Sequence, residues 1–158
     1  FLIIHIKLFL ESVMNILAVG INHKTSSIDI REKFYLQPIE RELLLSELKS
    51  NPRVVEAFIL STCNRTEIYA NAIEKDPEIL LEAIFKVKKI KLDDDLKSHF
   101  YLFTDKQAVD HLMRVTTGLD SLIVGEKQIL GQVKEAFEFS TSNGMMSKTF
   151  LQFILVIE

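Results

Sequence analysis

An α+β fold is what this sequence predicts, and three observations carry the prediction. Apolar runs of strand length occur at Ile16 to Ile21, Val54 to Leu60, Glu67 to Ile73 and Phe100 to Phe103. A proline-opened segment of helical spacing lies between the first and second runs, and another between the third and fourth. The second and third runs are joined directly by a polar corner around Cys63. The order is β-α-β-β-α-β, the split βαβ or ferredoxin-like sandwich, here with additional C-terminal helices.

Each element has a local cause. Ile16-Leu17-Ala18-Val19-Gly20-Ile21 is short, apolar and closed by Asn22-His23. Ser27 to Phe34 holds a short helical turn. Pro38 opens a helix through Lys49, with Ile39, Leu43, Leu44 and Leu48 predicted on its inward face, and Asn51-Pro52 stops it. Asp76-Pro77 opens the next helix, with Leu80, Leu81, Ile84 and Val87 inward. Thr104 and Gln107 have the spacing of a capping box for a helix ending near Gly118. The last long helix is predicted from about Glu126 to Ser142, with Asn143-Gly144 as its stop.

Size and composition narrow the function classes. The chain has 158 residues, 47% of them apolar, enough for a core without staples. Lysine plus arginine number 19 and aspartate plus glutamate 22, a net charge of −3, so any RNA contact must come from a local basic patch. Lys24, Arg31, Lys33 and Arg65 are the candidates for one. A single cysteine excludes an intrachain disulfide, and the missing CxxC and HxxxH spacings argue against structural zinc. The glycines form neither GxGxxG nor a P-loop. Residues 1–13 read as an extension upstream of a start at Met14. Residues 14–145 read as one domain, and the apolar stretch 146–158 as the beginning of something longer.

Three groups can carry chemistry. Cys63 stands in Ser61-Thr62-Cys63-Asn64-Arg65-Thr66-Glu67, where hydroxyls, an amide and a guanidinium flank the sulfur. That is a setting for a nucleophilic thiolate; the plain alternative is a small buried apolar residue. His111 falls on the edge of the stripe Ala108, Leu112 and Val115, placed either to face a cleft or to sit half in solvent. Gln128 and Gln132, four apart, share a flank of the last long helix beside Ile129, Leu130, Val133, Ala136 and Phe137. Paired amides can hold a polar ligand, or simply be surface amides. Glu126 at the helix start either caps it or binds an ammonium group.

Gly20-Ile21-Asn22-His23-Lys24-Thr25, Ile30-Arg31-Glu32-Lys33, Ser61 to Tyr69 and Gly118 to Gln132, in this order, resemble the N-terminal catalytic domain of the glutamyl-tRNA reductase family. The resemblance implies reduction of glutamyl-tRNA(Glu) to glutamate-1-semialdehyde through a cysteine thioester, the first step of five-carbon tetrapyrrole synthesis. It implies Cys63 as nucleophile and His111 as a second residue needed for activity. Thr62, Asn64, Arg65, Ser121, Glu126, Gln128 and Gln132 match positions that hold the glutamyl group. Arg65 suits either a substrate carboxylate or the thiolate itself. NADPH is expected to bind outside this chain, with 146–158 starting the helix that connects to its domain. The remaining implications are a cytoplasmic setting, homodimerisation through a further C-terminal region, and hand-over to glutamate-1-semialdehyde aminomutase. On this reading the chain alone transfers or hydrolyses the glutamyl group. The non-enzymatic alternative is a ferredoxin-like RNA-binding or regulatory module. A thiol-based redox sensor is a third possibility.

Overall fold

The computed structural model describes residues 2–4, 15–121 and 128–157. Its strands are β1 (Ile16–Asn22), β2 (Val54–Ser61), β3 (Arg65–Ala72) and β4 (Tyr101–Thr104). Its helices are α1 (Ile28–Phe34), α2 (Pro38–Lys49), α3 (Glu78–Lys88), α4 (Asp94–Lys97), α5 (Asp105–Thr116), α6 (Gln128–Ser142) and α7 (Lys148–Ile157). The strands form one antiparallel sheet in the order β2-β3-β1-β4.

Both faces of the sheet are covered, which explains why β1 is apolar at successive positions rather than alternating. On one face Leu17, Val19, Ile21, Ile59, Ile68 and Ala70 pack with Phe34, Leu44, Leu48, Leu80, Leu81 and Ile84 of α1, α2 and α3. On the other, Ile16, Ala18, Phe58, Leu60 and Tyr69 pack with Ala108, Leu112 and Val115 of α5 and Val133 and Phe137 of α6. Phe150 and Phe153 of α7 are fully buried in this second cluster. Buried Glu56 ties α7 down: its Oε1 accepts the Ser147 and Phe150 N–H groups at 3.2 and 3.1 Å. The edge strand β2 is also covered, because the Ala57 N–H donates to the Met145 carbonyl at 2.9 Å and the Ala57 carbonyl accepts from the Ser140 hydroxyl.

Most elements fall where the sequence places them, including the helix stops: Gly118 and Gly144 have φ of 78° and 71°. Three details differ. The inward face of α2 is Leu44, Leu45 and Leu48, while Ile39 and Leu43 are 61% and 54% exposed. Rotation of the stripe by one position leaves the leucine run consistent with either face, and packing on β2 decides. The Thr104–Gln107 capping box does not form. Asp105 instead takes a left-handed φ of 47°, and its carboxylate pairs with Lys75 at 2.6 Å. Helix α4 is unpredicted; its start is fixed by Asp93, which accepts the Leu96 N–H at 2.7 Å.

Candidate functional site

The corner between β2 and β3 is three residues long, Thr62-Cys63-Asn64, and local hydrogen bonds fix it. The Thr62 N–H donates to the Arg65 carbonyl at 2.8 Å, and the Asn64 N–H to Thr62 Oγ1 at 3.2 Å. The first residue after β1 reaches across, His23 N–H donating to the Asn64 carbonyl at 3.1 Å. Behind the corner, Ser61 Oγ accepts the Leu36 N–H at 3.0 Å and shares a hydrogen bond with Thr66 Oγ1 at 3.1 Å. With its neighbours held this way, Cys63 is left exposed.

Beneath the corner lies a buried polar network centred on Glu67, which is 1% exposed. Its Oε1 accepts from Arg65 Nη1 at 3.2 Å and Tyr69 Oη at 3.1 Å. Its Oε2 accepts from Tyr101 Oη and His111 Nε2. An ionised carboxylate only accepts, so Nε2 carries the proton in this pair. Arg65, 2% exposed, also donates through Nη2 to the Asp120 carbonyl at 2.6 Å and to Asp120 Oδ2 at 3.2 Å. Asp120 then receives Asn22 Nδ2 at 3.3 Å and Lys24 Nζ at 2.9 Å.

The strand register makes room for this network. Gly20 lies opposite Glu67 on one side and Tyr101 on the other. A Cβ there would stand 2.7 Å from the Thr66 carbonyl oxygen, 2.8 Å from Glu67 Cγ and 2.9 Å from Tyr101 Oη. A glycine in a strand interior here means close approach of neighbouring side chains.

The charges are mutually sustained. Burial pushes the Glu67 carboxyl up, but the His111 hydrogen bond and the Arg65 charge outweigh it and hold the group below its ordinary range. Asp120 follows the same logic: burial opposes ionisation, while Lys24 and Arg65 win. Burial, then the Glu67 charge, raises the phenols of Tyr69 and Tyr101 well above their usual value. Burial lowers His23, with Arg65 and Lys24 adding to it.

A small cleft of about 90 Å³ opens onto the corner. Thr62, Cys63, Asn64 and Arg65 form one wall, and Ser121, Gln128, Ile129 and Gln132 the other. Six of the seven residues expected to hold a ligand therefore share one cleft with the cysteine. The seventh, Glu126, lies outside the described residues. His111 does not line this cleft; it stands behind it, 11% exposed and bonded to Glu67. Two of the four members of the proposed basic patch are neutralised, because Arg65 is paired with Glu67 and Asp120 and Lys24 with Asp120. Sequence reasoning missed Glu67, Asp120, Tyr69 and Tyr101 as a unit. The one local signal was a glutamate inside a predicted strand; that it faces Gly20 is set by register.

Residues 19–155 match the family model described as Glutamyl-tRNAGlu reductase, N-terminal domain. The glutamyl-tRNA reductase of Photobacterium profundum is 40% identical over 141 residues, covering 87% of this chain and 33% of that protein. That of Hydrogenovibrio crunogenus is 42% identical over 136 residues, 86% of this chain and 31% of that protein. The solved structure of glutamyl-tRNA reductase from Methanopyrus kandleri superposes with a TM-score of 0.72 at 27% identity, covering 91% of this chain and 33% of that one. The chain thus spans about one third of the length of the relatives it matches. Matched by the family model over most of its length, it belongs to the glutamyl-tRNA reductase family, in the part that forms the N-terminal domain.

Proposed function

We propose that this chain is the acyl-accepting part of an enzyme that reduces glutamyl-tRNA(Glu) to glutamate-1-semialdehyde, opening tetrapyrrole synthesis. The observation that carries the proposal is the cleft that joins the exposed Cys63 to Ser121, Gln128 and Gln132. The Cys63 thiolate attacks the ester carbonyl, and a carbon–sulfur bond forms. The tetrahedral oxyanion collapses, the carbon–oxygen bond breaks, and the ribose oxygen leaves and takes a proton. An aminoacyl ester is already activated, so a thiolate displaces the alkoxide without a strong acid. Ser121, Gln128 and Gln132 hold the glutamyl group by hydrogen bonds, with Glu126 as partner for its ammonium.

Arg65 lines the cleft with its guanidinium committed to Glu67 and Asp120, so it acts as a fixed positive charge rather than a mobile clamp. His111 acts through Glu67 as a positioning group. In a His111→Asn variant, reduced acyl transfer with an unchanged pH–rate profile supports this role, whereas loss of one limb of the profile shows proton transfer.

NADPH supplies hydride in the full reaction. Among the described residues the glycines lie singly, in β1, in α6 and after helices, and not in a glycine-rich strand–turn–helix loop. Its binding is assigned to sequence beyond this chain, with α7 beginning the connection. A cytoplasmic setting, a homodimer formed through that further sequence, and hand-over to the aminomutase complete the proposal.

The fold is best classed as ferredoxin-like, a reading supported by the strand order β2-β3-β1-β4 and the placement of α2 and α3 on one face. A sheet covered on both faces offers no open platform for stacking RNA bases, which counts against the alternative of an RNA-binding module. Intact-mass spectrometry after mixing with glutamyl-tRNA tests the main proposal. A glutamyl adduct that disappears with neutral hydroxylamine and is missing in Cys63→Ala is expected. The same adduct on Cys63→Ala would refute it.

A further inference from the structure

The strand that leads into the reactive corner also carries a buried carboxylate at its other end. Glu56 is 1% exposed and belongs to β2. A bulge sets its direction. Val54 pairs with Ala72 and Glu56 with Asn71, so Val55 is the extra residue, 51% exposed. Val54 faces the α1, α2 and α3 cluster, and Glu56, two residues on, faces the opposite side, where Phe150 and Phe153 of α7 are packed. There Glu56 Oε1 accepts the Ser147 and Phe150 N–H groups at 3.2 and 3.1 Å. Its Oε2 accepts Asn71 Nδ2 at 3.4 Å, and the same amide reaches Thr149 Oγ1 at 3.2 Å. Ser147 immediately precedes α7 and Phe150 is its third residue, so Phe150 has one of the N–H groups that a helix cannot satisfy internally. The bonds resemble those of a helix cap, but a neighbouring strand supplies the carboxylate, which also complements the positive end of the helix.

We propose that Glu56 is a positioning residue for the hydride-transfer step: it aims α7, and with it the sequence that follows, at a fixed place relative to the acyl-bearing sulfur. The inference rests on the reading above, in which α7 begins the connection to the NADPH-binding part. A hydride donor must come within about 3–3.5 Å of the carbon it reduces, so a small error in the placement of the two parts costs rate steeply. Strand β2 is the ruler between them. From Ala57 to Ser61 it pairs with Ala70 to Thr66 without a shift in register. Glu56 and Ser61 lie about 17 Å apart along it, at about 3.3 Å per residue. At one end Ser61 leads into Thr62-Cys63, and at the other Glu56 holds the start of α7. Phe150 and Phe153 give α7 its burial, but hydrocarbon contact accepts several packings. Two N–H groups on one buried oxygen, itself steadied through Asn71, fix both the height and the rotation of the helix start.

The test measures the placement itself. Cys63 is the chain's only cysteine, so Leu155→Cys, at a position 73% exposed on α7, gives a chain with two sites for spin labels. Pulsed dipolar spectroscopy then reads the distance from the corner to the helix. A single narrow distribution is expected with Glu56 in place. In Glu56→Ala it is expected to widen about twofold or split, and the Ser147 and Phe150 amides to exchange with solvent about tenfold faster or more. Glu56→Gln, whose amide oxygen can accept both N–H groups, restores the narrow distribution. Asn71→Ala keeps both N–H bonds and gives an intermediate width, and it decides the matter if Glu56→Ala does not fold. Leu80→Ala, a cavity on the opposite face, serves as the control for general loosening and leaves the width as it was. An unchanged distribution in Glu56→Ala, or in Asn71→Ala where that variant decides, overturns the proposal. Equal widening in Leu80→Ala overturns it as well. The labels need no chemistry at Cys63, so if the unsubstituted chain forms no adduct with glutamyl-tRNA, the acyl-acceptor reading fails while the distances still decide the role of Glu56.

Discussion

The two faces of the sheet begin alike and end differently. Against α1, α2 and α3, the strands present hydrocarbon, Leu17, Val19, Ile21, Ile59, Ile68 and Ala70, up to the corner, where Ser61 and Thr66 share one neutral hydrogen bond. Against α5 and α6 they start with Ile16, Ala18, Phe58 and Tyr69, then change toward the corner to Gly20, Asn22, Arg65 and Glu67. One face is held mainly by shape and area, with no buried charge from these strands. The other is held at its far end by charges whose cost of burial is met only because each has partners. A fully satisfied buried network permits one arrangement, whereas a hydrocarbon face accepts several repackings. The end of the sheet beneath Cys63 is therefore the end with least freedom.

The largest expected effect comes from breaking the polar end. Glu67→Ala leaves Arg65 buried with Asp120 as its remaining carboxylate, a change worth about 3–5 kcal/mol of stability by denaturant titration. A loss well under 1 kcal/mol would mean that the network is not the constraint described above. The same network sets an acid limit. Both carboxyls have folded-state pKa values below their ordinary ones, near 4.5 for Glu67 and 3.8 for Asp120. Their stabilisation is present above those unfolded-state values and lost as pH falls through the lower folded ones. Stability should be level in this respect from pH 7 to about 5 and fall below about 4.5, and Glu67→Ala should flatten that fall.

On the hydrocarbon face Leu80→Ala, at a fully buried position, is expected to cost about 3 kcal/mol. Yet it should leave the rate of Cys63 alkylation in the folded protein unchanged, since no polar group near the corner moves. A changed rate would show that the faces are coupled. Gly20→Ala probes the polar end from within the sheet. Its Cβ would meet backbone at Thr66 and side chains at Glu67 and Tyr101, so overpacking of about 1–3 kcal/mol is expected. The Tyr101 hydroxyl should lose its bond to Glu67, and ultraviolet titration should then show one phenol ionising at lower pH than in wild type.

The sequence made the hydrocarbon part of this molecule readable because strand length, helical spacing and glycine stops are local signals. It also made the cleft readable, through blocks 61–69 and 118–132, although these are far apart in the chain. What it hid depends on register. Nothing local says that Gly20 stands between Glu67 and Tyr101, so a glutamate in β3 reads as an exposed strand position. Arg65 likewise reads as available to a ligand until its two carboxylate partners are seen. The rotation of α2 by one position was hidden for a related reason, since only contact with β2 selects among adjacent leucines.

The smallest stability effect belongs to the residue on which the chemistry depends. Cys63 is exposed, and its corner is held by Thr62, Asn64, His23 and Ser61 rather than by its own side chain. Cys63→Ser should shift unfolding by no more than about 0.5 kcal/mol, the usual range for a surface change. A serine hydroxyl is a far weaker nucleophile than a thiolate at neutral pH, so the same substitution should abolish the glutamyl adduct. Four residues away, Glu67→Ala should do the reverse in proportion: a large loss of stability, with an adduct that still forms slowly in whatever fraction remains folded. If Cys63→Ser instead cost several kcal/mol, the sulfur would be part of the frame, and the division between a rigid polar base and a free reactive tip would have to be abandoned.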